Sequence, residues 1–210
     1  MQFWTSTTGT PQDNLNHVWS RIQSAYGSMG STADIYKKIT LSMFNNGPGG
    51  YPMMRGKAGC IRTFNKVLHT VWLEGLNPSD DMHVRVALLL ETSICIDEIV
   101  SSHTRVFKLP AAVADTLFAK ACLYCQLATS LSNYAGVKLF NVTQKFHFLV
   151  HIGWSARYIN PRISWCWMGE DYMAKMRTLF QSCVKGSRPE AVVGKAARKL
   201  MVAMHMTHLQ

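Results

Sequence analysis

The sequence has few of the features that place a protein outside the cell or in a membrane. Its 210 residues contain six cysteines, far below the density of a disulfide-stapled domain. The first residues, MQFWTSTTGTPQDNLNH, lack a basic start followed by an apolar run, so no secretory signal is visible. Even the richest apolar stretch, residues 84–100, contains four charged side chains, which argues against a membrane span. We therefore expect an intracellular protein, cytoplasmic or nuclear.

Alternating strand patterns are also missing, and helical spacing takes their place. Apolar residues recur every three or four positions in four core segments, 60–75, 80–101, 111–133 and 139–159. Further helices are expected over residues 31–44, near 168–184 and over 189–208. The sequence predicts an all-α, single-domain, irregular bundle of about six to eight helices. Residues 1–30 are expected to be a mobile segment with one short helix, and residues 31–210 the helical domain.

Negative charge is scarce in the last third of the chain. The formal net charge is +10, and residues 138–210 hold eleven Lys and Arg against three acids. Residues 74–115 have the opposite balance, with seven acids against three Lys and Arg. The acidic middle and the basic end either attract each other within the fold or leave the basic end facing an anionic partner.

Basic and aromatic residues are interleaved between residues 145 and 177, and the last helix carries further cations. Aromatic rings stack on bases and Lys or Arg side chains bind phosphates, so this composition is typical of single-stranded nucleic-acid binding. As an alternative, the tryptophans of this passage form the hydrophobic core of a helix corner at Asn160-Pro161, since charge and aromatic content alone are not specific to nucleic-acid binding. The sequence predicts non-enzymatic association with nucleic acid through this basic C-terminal third, or alternatively a helical protein–protein interaction module. The candidate nucleic-acid-binding residues are Arg157, Arg162, Trp165, Trp167, Lys175, Arg177, Lys185, Arg188, Lys195, Arg198 and Lys199.

Two cysteines and two histidines, Cys122, Cys125, His147 and His151, fall on neighbouring predicted helices. Two thiolates and two imidazoles form a tetrahedral set that zinc prefers. The spacing between the two pairs exceeds that of the usual two-cysteine, two-histidine modules, and small buried thiols are ordinary core filling. The sequence therefore predicts core thiols and no resident cofactor, with zinc at these four residues as the alternative.

The stretch Lys145-x-His147-x3-His151, followed by Glu170, resembles the end of a transposase catalytic domain. The resemblance implies metal-dependent phosphoryl transfer, in which several carboxylates converge on the metal ions. It covers only this short passage, and no strand pattern is present to carry the other aspartates, so no family is assigned. A fragment of a mobile-element or viral protein with nuclease or transposase-like activity is kept as an alternative function, without named catalytic residues.

Overall fold

The structure is a computed structural model that describes seven parts of the chain. They are residues 9–30, 34–44, 50–104, 106–134, 140–163, 176–186 and 188–208, with residues 203–208 described by their backbone alone. These parts contain helices, turns and irregular loops and no strand, which confirms the predicted all-α class. None of the helices in these parts is long and apolar enough to cross a membrane.

The helices follow one another along the chain in two compact units, Met1–Arg162 and Ile163–Gln210. The elements are α1 (Pro11–Ser28), a short 3-10 helix (Leu41–Met43), α2 (Ala58–Glu74), α3 (Asp81–Ser102), α4 (Ala111–Tyr134), α5 (Gln144–Ser155) and α6 (Pro189–His208). Residues 176–184 are also helical. The predicted number of helices is therefore confirmed, whereas the predicted boundary near residue 30 stays a prediction.

Capping side chains determine where α1 and α3 begin. The backbone N–H of Asp13 donates to Thr10 Oγ1 at 3.2 Å, and that of Thr10 donates to Asp13 Oδ2 at 3.0 Å. The Thr10 hydroxyl also donates to this carboxylate, and these hydrogen bonds lower the pKa of Asp13 below its ordinary value. Asp80 caps α3 by accepting from the backbone N–H of Met82 at 2.9 Å. Both helices thus start at side chains that satisfy otherwise unpaired amides.

The segment between α1 and α2 is where the predicted helix over residues 31–44 is wrong. Residues 35–40 are not helical, and the chain turns as a 3-10 helix at Leu41–Met43. Tyr36 is buried with its ring 5.6 Å from that of Phe64, and its hydroxyl donates to the carbonyl of Arg55 at 3.2 Å. These tertiary contacts outweigh the local helix propensity of the segment.

α3 packs against both α2 and α4 in the first unit. The core that it shares with α4 consists of Met82, Val86, Leu89, Leu127, Ala128 and Leu131. On its other side, Arg62 of α2 donates to Asp97 at 2.7 Å. α3 is therefore covered on more than one face, which explains why apolar residues surround it.

Gly153 permits a close approach between α4 and α5. A Cβ atom built on Gly153 would lie 3.1 Å from Ala121 Cβ and 3.1 Å from Phe118 Cα. Relaxed carbon–carbon contacts are longer, about 3.5–4.0 Å. The two helix backbones are thus closer at this point than a larger residue would permit.

A buried asparagine connects the chain after α5 to the loop between α3 and α4. Asn160 is 1% exposed, and its Nδ2 donates to the carbonyls of His103 at 2.7 Å and Val106 at 2.9 Å. Its backbone N–H donates to the carbonyl of Phe107 at 2.8 Å, and its Oδ1 accepts from the backbone N–H of Arg162 at 3.0 Å. Because the amide nitrogen and oxygen both have partners, the buried side chain holds the loop in place without a large desolvation cost.

The second unit contains α6 and the helical residues 176–184. Gly186, with a φ of +67°, lies in the left-handed region that ends many helices, and Pro189 occupies the first turn of α6. Cys183 and Ala196 are buried, and Lys199 Nζ donates to Ser182 Oγ at 3.0 Å. This hydrogen bond connects the two helical stretches.

Candidate nucleic-acid interface

Positive charge is concentrated in residues 176–208. This stretch contains six Lys and Arg residues, and Glu190 is its only acid. All six cationic side chains are exposed: Arg177, Lys185, Arg188, Lys195, Arg198 and Lys199. Residues 176–208 therefore carry an excess of positive charge on exposed side chains.

Three of these cations lie on one side of α6. Lys195, Arg198 and Lys199 are three and four residues apart, a spacing that places side chains on a shared helix face. Arg188 immediately precedes the first residue of α6, so helix spacing does not place its side chain on this face. The buried Ala196 lies on a different side of the helix. We name Lys195, Arg198 and Lys199 the basic stripe.

Two charged groups of the stripe, those of Arg198 and Lys199, keep donors for a ligand. Lys199 Nζ donates to Ser182 Oγ, and Arg198 Nε donates to the carbonyl of Gly194 at 3.3 Å. An ammonium group has three donors and a guanidinium five, so each of these contacts uses one donor of several. Both acceptors are neutral, and both charges remain available to a phosphate.

No protein-family model, curated protein or solved structure matches this chain. The chemistry of its own surfaces is thus the basis on which a function is proposed.

The acidic middle of the chain forms ion pairs within the first unit. These pairs are Glu74 with Arg21 at 2.8 Å, Asp81 with Arg85 at 2.7 Å, Asp97 with Arg62 at 2.7 Å, Glu98 with Lys66 at 2.9 Å and Asp115 with Arg157 at 2.9 Å. Four of the five cations precede residue 138. Among the described residues of the first unit, the acidic middle is therefore paired mainly with cations outside the basic C-terminal third.

The predicted binding residues divide between the two units. Arg157 and Arg162 belong to the first unit. Arg157 binds Asp115, and Arg162 is half-buried beside Asn160. The six cations of residues 176–208 belong to the second unit, and Trp165, Trp167 and Lys175 lie outside the described residues. The six cations of the second unit are exposed, and their role in binding stays a prediction.

An exposed aromatic pair on the first unit was absent from the predicted set. Trp154 is 50% exposed and Tyr158 is 63% exposed, and their rings meet edge to face with centroids 5.6 Å apart. Arg157 lies between them in sequence. The four-residue spacing of the two rings at the end of a helix was the signal that could have identified them.

The four residues considered for zinc are not brought together. Among the described residues no group of three or more His, Cys, Asp and Glu side chains is close enough to hold a metal ion. Cys125 Sγ donates to the carbonyl of Phe146 at 3.4 Å, and burial raises the pKa of this thiol above its ordinary value. His147 and His151 are instead exposed, with their Nε2 atoms 2.8 Å apart. The thiol and the imidazoles therefore have separate surroundings.

Proposed function

We propose that this chain associates with nucleic acid by binding phosphates through the six exposed cations of residues 176–208. The observation that carries the proposal is the excess of six exposed Lys and Arg over one acid in this short helical stretch. Each cation that neutralises a phosphate releases condensed counterions, and this release drives binding without reading the base sequence. The proposed activity is therefore sequence-tolerant association.

The exposed pair of Trp154 and Tyr158 adds a preference for single strands. Unpaired bases stack on aromatic rings, whereas bases in a duplex are already stacked on each other. Arg157 lies between the two rings in sequence, and its side chain forms an ion pair with Asp115. We assign the rings a supporting role and the cations of the second unit the main one.

Charge-matched variants test the role of the basic stripe. Replacing Lys195, Arg198 and Lys199 with glutamine should weaken binding and reduce the salt dependence of affinity, by up to about three in the log–log slope. The control variant replaces Lys37, Lys38 and Lys108, three exposed lysines of the first unit, with glutamine. Both variants lose three charges, so a larger effect of the stripe variant assigns binding to that surface rather than to net charge.

Equal losses in the two variants would contradict the assigned interface. Fluorescence anisotropy with labelled mixed-sequence DNA and RNA measures both affinity and slope, and circular dichroism confirms that each variant is folded. Absence of binding by the unmodified protein at about 50 mM salt, where electrostatic binding is strong, would reject nucleic acid as the partner. The helical protein–protein interaction module would then be the better hypothesis.

A second comparison tests the aromatic pair. Trp154→Ala should weaken single-strand binding by about 1–3 kcal/mol per stacked base and change duplex affinity less. Phe107→Ala, which removes another exposed aromatic ring of the first unit, is the control. An equal effect of Trp154→Ala on single strands and duplexes would exclude stacking on this ring.

A further inference from the structure

We propose that His147 and His151 form a surface chelate for a divalent transition-metal ion, with imidazole nitrogens as its two protein ligands. Both residues lie on α5, four positions apart, so they project from the same face one turn apart. Both are exposed, and their Nε2 atoms are 2.8 Å apart. The proposed chelate uses none of the residues proposed above to bind phosphate.

The two rings are already close to a chelating arrangement. Zinc binds imidazole nitrogen at about 2.0–2.1 Å, so two such ligands at a tetrahedral angle are about 3.3 Å apart. The observed separation of 2.8 Å is a hydrogen bond, in which one Nε2 donates and the other accepts. A metal ion binds both Nε2 atoms when each ring carries its hydrogen on Nδ1. The donating ring therefore gives its Nε2 hydrogen to water and takes one on Nδ1 as the metal binds. The rings need to separate by only a few tenths of an ångström, which exposed side chains achieve by small rotations.

The chelate does not include Cys125. Cys125 Sγ donates to the carbonyl of Phe146, and a protonated thiol is a poor metal ligand. Within the described residues, no third His, Cys, Asp or Glu completes the site, so water or an external ligand fills the remaining positions. Imidazole ligands favour Zn²⁺, Cu²⁺ and Ni²⁺ over Mg²⁺ and Ca²⁺, which prefer oxygen.

Titration of the chelator-treated full chain with Zn²⁺ alone tests the proposal. His147→Ala and His151→Ala should each lower the affinity of this site by about tenfold or more, since removal even of a supporting partner of a ligand costs about 10–100-fold. The double variant His151→Ala/Ile152→His keeps the number of histidines but changes their spacing from four to five. Because positions five apart do not share a face, it should bind as weakly as His151→Ala. An excess of Mg²⁺ should not displace the zinc.

Two further variants distinguish zinc binding by His147 and His151 from zinc binding by other residues of the chain. His17→Ala removes an exposed histidine of α1, and it should leave the affinity unchanged. Cys125→Ser should also leave the affinity unchanged, and a loss comparable with that of His147→Ala would instead support the four-residue cysteine–histidine set. The proposal is overturned if His147→Ala and His151→Ala bind zinc as tightly as the unmodified chain. Exposed helix positions tolerate alanine, and circular dichroism checks that the variants remain folded.

Discussion

Replacing Gly153 with alanine measures how tightly α4 and α5 pack. The new Cβ atom would lie 3.1 Å from both Phe118 Cα and Ala121 Cβ, whereas relaxed carbon contacts start near about 3.5 Å. Phe118 Cα belongs to the backbone and cannot rotate away. The helices must therefore move apart by about 0.4 Å or distort locally.

Two opposing contributions determine the expected stability change. Overpacking of this kind costs about 1–3 kcal/mol. Alanine in place of glycine in a helix interior returns up to about 1 kcal/mol. Gly27→Ala in α1 is the matched control, since nothing lies within 4 Å of its added Cβ. Gly153→Ala should accordingly be about 1–3 kcal/mol less stable than Gly27→Ala, because the difference leaves only the steric cost.

Urea denaturation followed by far-ultraviolet circular dichroism gives the free energies of unfolding of the two variants. Thermal melts give an independent comparison, since about 1 kcal/mol shifts the midpoint by about 2–4 °C in a chain of this size. If Gly153→Ala proves as stable as Gly27→Ala, the inferred close approach of α4 and α5 is wrong.

Three further substitutions test the core and the loop that joins α3 to α4. Leu89, 8% exposed, should lose about 2–5 kcal/mol on change to alanine, and a loss below about 1 kcal/mol in urea denaturation would place it outside the core. Thr92 is 0% exposed and its hydroxyl has no hydrogen-bond partner among the described residues, so Thr92→Val should gain up to about 1 kcal/mol in the same assay. A clear loss of stability would indicate a bonded hydroxyl. Asn160→Ala removes the partner of two carbonyls and should cost about 2–4 kcal/mol, and an unchanged melting temperature would show that the loop does not depend on it.

Local signals predicted most of the helices. Pro189 in a first turn and the apolar spacing after it predicted α6 at residues 189–208, where the structure has it. The wrong prediction of a helix over residues 31–44 has a different cause. Tyr36 packs on Phe64, which is distant in sequence, and neither helical periodicity nor a capping residue reports such a contact.

The basic face of α6 was predictable from local sequence spacing, as the helix itself was. The spacing of Lys195, Arg198 and Lys199 places them on one helix face whenever the helix forms. The pairing of Arg157 with Asp115 joins residues 42 positions apart and was not predictable, because it requires α4 and the chain after α5 to be neighbours in space. The sequence thus predicted local arrangements of charge and missed their tertiary partners.

The dependence of affinity on salt tests the proposed nucleic-acid binding most directly. If each of the six exposed cations neutralises one phosphate of duplex DNA, the slope of log affinity against log salt should be about −5. Between about 50 and 200 mM salt the affinity should then fall about a thousandfold, with little difference between DNA sequences. A slope near zero, or no binding at the lower salt concentration, would contradict phosphate binding by this surface.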